Sequence, residues 1–338
     1  MTQTVTGPVD AGELGRVLMH EHVVTRSPGV AENFPETYPR DAVANQCVRV
    51  LQQLKRRFNV STIVDHSTMD LGRDVEMLAE VSRRSGVQII ACTGLWIEPP
   101  AYFDHRSADH AAELFIREVE NGVRDTGIRP GIVKCAIDSA GLTPPVEKAI
   151  RAAARTHCAT GIPVSVHAWC GNHSGETAAE LLSDEGVDMQ CVLLGHSGDT
   201  LDLEYLHRLL ATGALLGMDR FGVEDRLEDS ERVEVVAQLC REGYAQRLVL
   251  SHDASYWSGR LTDEYKASVR PNWYPWRIFD AILPALVKAG VSEAQIELML
   301  VDNPRRFFAR AQAADTVSPA RDLGSAATAS NYRPERQG

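Results

Sequence analysis

Residues 131–169 read GIVKCAIDSAGLTPPVEKAIRAAARTHCATGIPVSVHAW. A short apolar run at 131–134 is followed by a segment of helical period near 144–159 and by a second apolar run at 163–166. This pattern predicts parallel strands joined by a crossover helix. The same alternation extends in both directions. Apolar runs stand at 16–19, 60–64, 87–91, 190–194, 214–218 and 247–250, with helical segments near 41–57, 73–84, 107–121, 175–184, 201–211, 229–242 and 276–289. With the opening stretch they make eight β/α units, the count of an α/β fold of the (β/α)8 TIM-barrel type. No GxGxxG or GxxxxGK[ST] string follows any of the runs, which argues against a doubly wound nucleotide-binding sheet.

Composition narrows the class of partner. The 338 residues are 44% AVILMFWYC and 24% charged, as in ordinary globular chains. Lys and Arg number 35 against 46 Asp and Glu, a net charge of −11, which disfavours nucleic acid and anionic membrane surfaces. Seven scattered cysteines form no CxxC pair and no secreted framework, so reduced thiols and a cytoplasmic location are expected. Neither a signal peptide nor a membrane span is expected, because no apolar run approaches the ~18 residues that a span needs. Residues 1–310 are read as one enzyme-sized barrel domain. The Ala-, Ser- and Arg-rich stretch 311–338 lacks apolar periodicity and is expected to be disordered. Segment 254–275 is long and rich in Trp, Tyr, Arg and Gly, which marks it as a functional loop.

Ligand-type residues gather at the carboxyl ends of the runs, the catalytic face of a barrel. His20 and His22 lie in LMHEHV, where alternation turns i and i+2 the same way and lets the pair chelate one ion. Lys134 ends the apolar run of GIVKCA, a place that solvates an ammonium poorly and lowers its pKa. His167 follows PVSV, His196 follows CVLLG, and Asp253 stands in LSHD. Singly, each reads as a hydrogen-bonded core residue. Together, at the ends of strands 1, 4, 5, 6 and 8, they suit two divalent ions with a position left for water. An ammonium cannot ligate, but a neutral lysine amine can take up carbon dioxide as a carbamate, whose two oxygens can bridge both ions. Zinc is the first expectation; such donors also accept manganese, cobalt or iron.

These residues closely resemble the phosphotriesterase family of the amidohydrolase superfamily, above all its phosphotriesterase-like lactonases. The motifs that carry the resemblance are LMHEHV, TGLW, GIVKCA, HAW, GHSGD, LSHD and DNPRRFF. It implies that His20, His22 and Asp253 hold the more buried ion and His167 and His196 the exposed one, with Lys134 as a bridging N6-carboxylysine. It also implies a hydroxide bridging the ions as nucleophile, with Asp253 as general base and proton shuttle. His252 is expected to face the other way, without a catalytic role.

For substrate choice the chain mixes two signatures. Arg220 in GMDRFG and the 254–275 loop resemble the lactonases, in which that loop walls a mostly apolar acyl channel; Trp257, Trp273 and Trp276 are the wall candidates. Trp96 resembles the phosphotriesterases instead, since the lactonases carry tyrosine there, and Tyr102 is a candidate to supply the missing phenol. The resemblance therefore implies a homodimer that opens N-acyl homoserine lactones (quorum quenching) or related γ- and δ-lactones, with promiscuous organophosphate triesterase activity. The alternatives are a dedicated phosphotriesterase and a metal-binding barrel without catalysis.

Overall fold

In the computed structural model, residues 1–314 are described. A two-stranded antiparallel hairpin, β1 (Thr2–Thr4) and β2 (Gly7–Val9), precedes the main sheet. The main sheet is built from β3 (Arg16–Thr25), β4 (Val60–Asp65), β5 (Gln88–Gly94), β6 (Ile132–Ile137), β7 (Val164–Ala168), β8 (Val192–Gly195), β9 (Leu215–Met218), β10 (Leu248–Leu250) and β11 (Ser255–Ser258). Neighbours pair in parallel in the order β10-β9-β8-β7-β6-β5-β4-β3-β11. Because β10 and β11 stand at opposite edges yet are joined by only residues 251–254, the sheet curls until its edges meet. The amide of Asp253 donates to His20 O at 3.0 Å and that of His22 to Ala254 O at 3.0 Å across the seam. This is the expected TIM barrel, all eight expected strands being present.

Helices cover the outside because each has one apolar face. Pro144–Thr160 begins with two prolines, whose missing donors cost nothing in a first turn, and ends at Gly161 in the left-handed region at φ 73°. It buries Val146, Ala149, Ile150 and Ala152–Ala154 against the sheet. Alternate strand residues fill the barrel interior: Val17, Met19, Val64, Ile90, Ile132, Leu193, Leu215 and Val249 pack with Leu14, Phe307 and Phe308. Lys134 and His167 fall on the inward positions of their strands. His20 and His22 reach the interior differently. The β3–β4 register shifts between Leu18 and Glu21, so His20 follows the inward Met19 directly and Glu21 is left facing out.

The structure adds to the expected elements. The hairpin strands are three residues each, too short for a periodic signal. Segment 254–275 is partly regular, containing β11 and a helix, Asp263–Val269, capped by Thr262. The helix expected at 276–289 is split into a π-helical turn, Ile278–Ile282, and an α-helix, Leu283–Lys288. Pro284, which lacks the amide needed to continue an α-helical ladder, accounts for the wider turn. Helix Asn303–Ala314 runs past the expected start of the tail at 311, and residues 315–338 lie outside the described residues. Among the described residues all seven cysteines are free, and no helix is long and apolar enough to cross a membrane.

Candidate metal centre

The six expected ligands converge on the carboxyl-terminal face of the barrel. Asp253 Oδ1 lies 3.3 Å from His20 Nε2 and 3.1 Å from His22 Nε2, while His196 Nε2 lies 2.9 Å from His167 Nδ1. Lys134 Nζ reaches His20 Nε2 at 3.3 Å. His196 and Asp253, neither of them glycine, are held at φ 61° and 55°. Left-handed backbone costs on the order of 1 kcal/mol or more for such residues and persists where surrounding structure imposes it. Two of the six converging side chains stand on such backbone.

Each imidazole has its far nitrogen occupied. Asp219 accepts from His20 Nδ1 at 2.8 Å and from His196 Nδ1 at 2.9 Å, His167 Nε2 meets Asp138 at 2.6 Å, and His22 Nδ1 meets Ser67 Oγ at 2.9 Å. A carboxylate only accepts, so His20, His196 and His167 must present lone pairs, not protons, toward the centre. The facing nitrogens of His196 and His167 are then two acceptors at 2.9 Å, an arrangement that a cation between them relieves. Burial lowers the pKa of His20, His167 and His196 to about 4, which keeps them in the neutral ligand form. Burial also pushes the amine of Lys134, 1% exposed, below its ordinary value, toward the neutral form that reacts with carbon dioxide. The donor set fits divalent metal ions, and His20, His196 and Asp253 alone bring ligand atoms within 4.8 Å of one another.

Asp219, Asp138 and Ser67 were missed by sequence reasoning. Room for the Asp219 carboxylate is made by Gly217, where a Cβ would lie 2.6 Å from its oxygen. Against burial, His196 and His20 hold Asp219 well below the usual carboxylate range, and the hydrogen bond from His167 does the same for Asp138. His252 faces away as expected: its Nδ1 meets Glu21 Oε1 at 2.8 Å and its Nε2 accepts from the Ile278 amide at 3.1 Å.

A cavity of about 430 Å³ opens over the centre, bordered by Trp96, Arg220, Arg226, Arg260, Arg270 and Trp273 among others. Arg220 Nε donates to Asp253 Oδ2 at 3.1 Å and its NH1 to Asp199 Oδ2 at 2.9 Å. Asp199 is gripped in turn by the buried Arg232, 2.7 Å away. Trp96 stands edge-on to His167 at 6.3 Å. Trp273 donates its indole N–H to His252 O at 2.9 Å.

Three expected pocket residues are not brought to this cavity. Trp257, on β11, packs beside Tyr38 at 5.5 Å, and Trp276, just before the π-helical turn Ile278–Ile282, stands beside Tyr274 at 5.6 Å. Tyr102 is 47% exposed with its hydroxyl on His110 at 3.0 Å, and it borders a separate cavity of about 740 Å³. None of the expected ligands lines that larger cavity, whose Arg73 and Glu118 pair at 2.6 Å. Leu71, Ile97, Val223 and Leu261 line the metal-side cavity together with Trp96, Trp273 and the arginines.

The phosphotriesterase family model matches residues 1–308. The chain is 40% identical over 317 residues to a protein of Mycobacterium tuberculosis called phosphotriesterase homology protein, covering 91% of this chain and 97% of that one. It is 34% identical over 305 residues to an aryldialkylphosphatase of Saccharolobus solfataricus, covering 89% and 96%. The solved structure of a phosphotriesterase from Mycobacterium tuberculosis superposes with a TM-score of 0.88 at 40% identity, covering 91% of this chain and 98% of that chain.

Proposed function

This chain belongs to the phosphotriesterase family of metal-dependent hydrolases, and from that premise we propose that it opens lactone rings, N-acyl homoserine lactones among them (quorum quenching), and hydrolyses organophosphate triesters more slowly. The six converging side chains would hold two divalent ions, zinc foremost, with Lys134 carried as the N6-carboxylysine that joins them. Bound there, the ions supply Lewis acidity to the substrate oxygen and acidify water. A cytoplasmic location, from the reduced thiols, and a homodimer, from the resemblance, belong to the same reading.

The observation that carries the lactone reading is the guanidinium of Arg220 on Asp253 Oδ2. Despite burial, Asp199 and Asp253 hold Arg220 above its ordinary pKa, so it cannot accept a proton from Asp253. A proton taken from the attacking water therefore stays on Asp253 until it passes to the leaving oxygen or to solvent. The alkoxide released by a lactone is strongly basic and needs that proton. An aryloxide leaving a phosphotriester is weakly basic and does not. Trp96 beside His167, together with the likeness to an aryldialkylphosphatase, favours a second reading, a dedicated phosphotriesterase.

The test is kcat/KM on metal-loaded protein for a long-chain acyl homoserine lactone and for paraoxon, with Asp253→Asn as control. The lactone value is expected to be higher by about two orders of magnitude, roughly 2.7 kcal/mol in transition-state binding, and the control to lose both activities. The reverse order would select the phosphotriesterase reading, and no turnover of either would leave the binding barrel.

A further inference from the structure

Three arginines at the mouth of the metal-side cavity stand over tryptophan rings. Arg260 Cζ stands 4.6 Å from the Trp96 ring, Arg226 Cζ 4.6 Å from Trp169, and Arg270 Cζ 5.2 Å from Trp273. With Arg220, they place four guanidinium groups around one cavity in a chain whose net charge is −11. Two of the four are matched. Arg220 has Asp199 and Asp253, and Arg270 is bidentate to Asp225 at 2.9 Å through both contacts. Among the described residues, Arg226 and Arg260 make no ion pair, and each reaches solvent at the rim. Burial and the Arg220 charge hold the Arg226 guanidinium below its ordinary pKa, with Asp199 and Asp138 acting in the other direction.

A guanidinium held over an indole face still offers the edge N–H groups of its own plane. That plane is the geometry in which arginine takes a carboxylate or phosphate bidentately. Such a contact also fixes the side chain beforehand, so less conformational entropy is lost when an anion arrives. An acyl homoserine lactone or a neutral triester would leave both groups unmatched.

Resting on the lactone reading, we propose that the preferred substrate is a lactone bearing an anionic group, carboxylate or phosphate, which Arg226 and Arg260 hold at the rim while the ring lies over Asp253 and the histidines. The uncharged acyl homoserine lactones are then secondary substrates of the site. The positive mouth also draws such anions in from solution, an effect that salt weakens.

The test uses the metal-loaded enzyme and three γ-lactones of one ring: 5-oxotetrahydrofuran-2-carboxylate, its uncharged carboxamide, and the phosphate ester of the hydroxymethyl analogue. At least one charged lactone is expected to exceed the carboxamide in kcat/KM by tenfold or more. In an Arg226→Gln/Arg260→Gln variant that ratio should fall to near one, and rising sodium chloride should erode it in the wild type. Comparison of the two charged lactones tells carboxylate from phosphate. Equal or better turnover of the carboxamide, or a ratio untouched by the double variant, would overturn the proposal while leaving the lactone reading intact. If no lactone is opened but paraoxon is, the lactone reading fails by itself. The anion site is then read from inhibition of paraoxon hydrolysis by succinate and by inorganic phosphate: weaker inhibition in the double variant supports it, and equal inhibition overturns it.

Discussion

Asp219 does at the scale of one residue what the barrel does at large. Its two oxygens hold His20 and His196, side chains that the family resemblance assigns to different ions, so one carboxylate fixes the orientation of both halves of the centre. In Asp219→Asn an amide N–H2 must face one of these imidazoles, reversing its tautomer or breaking its bond. Partners of this kind are worth about 10–100-fold in metal affinity. Chelator competition on the variant should therefore show a loss of that size, and unchanged affinity would deny Asp219 its orienting role. Sequence alone could not single it out. Its contact with His20 spans 199 positions, and an aspartate beside Arg220 reads as its ordinary ion-pair partner. That these six side chains would come together was legible, because a histidine, lysine or aspartate ending an apolar run is costly to bury without a purpose.

Among the elements, the end of β5 leaves least freedom. Gly94 has φ 98°, and a Cβ there would lie 2.0 Å from the carbonyl oxygen of Lys134 on β6. Gly94→Ala should cost about 2–4 kcal/mol, from strained backbone and steric overlap together. A lower urea midpoint at unchanged m-value would show it, and a wild-type midpoint would contradict the close approach. The strands were readable because parallel strands buried on both faces appear as unbroken apolar runs, and β6 is buried throughout. The shift of register in β3 was not readable. It depends on how β3 meets β4, which alternation within one strand cannot report. The place of Trp257 was unreadable for a related reason: a tryptophan on β11 can face either side, and pairing with β3 turned it toward Tyr38.

Across the whole molecule, the expected ligands come from within β3 and β6, from near the end of β7, from just after β8 and from the 251–254 segment that follows β10. Closing the sheet is thus the step that assembles the site, and ions bound there would tie together strands far apart in sequence. Because such ions bind the folded chain and not the unfolded one, they add to its stability as well as its chemistry. Everything proposed for this protein, from the proton held on Asp253 to the anion at the rim, requires that the centre be filled. The most direct test is the metal-to-chain ratio of purified wild type and of Lys134→Ala, measured together by elemental analysis. About two divalent ions per wild-type chain, with most of them lost from the variant, is the predicted result. A metal-free wild type that still hydrolyses substrate, or a Lys134→Ala protein with its full complement, would contradict the account.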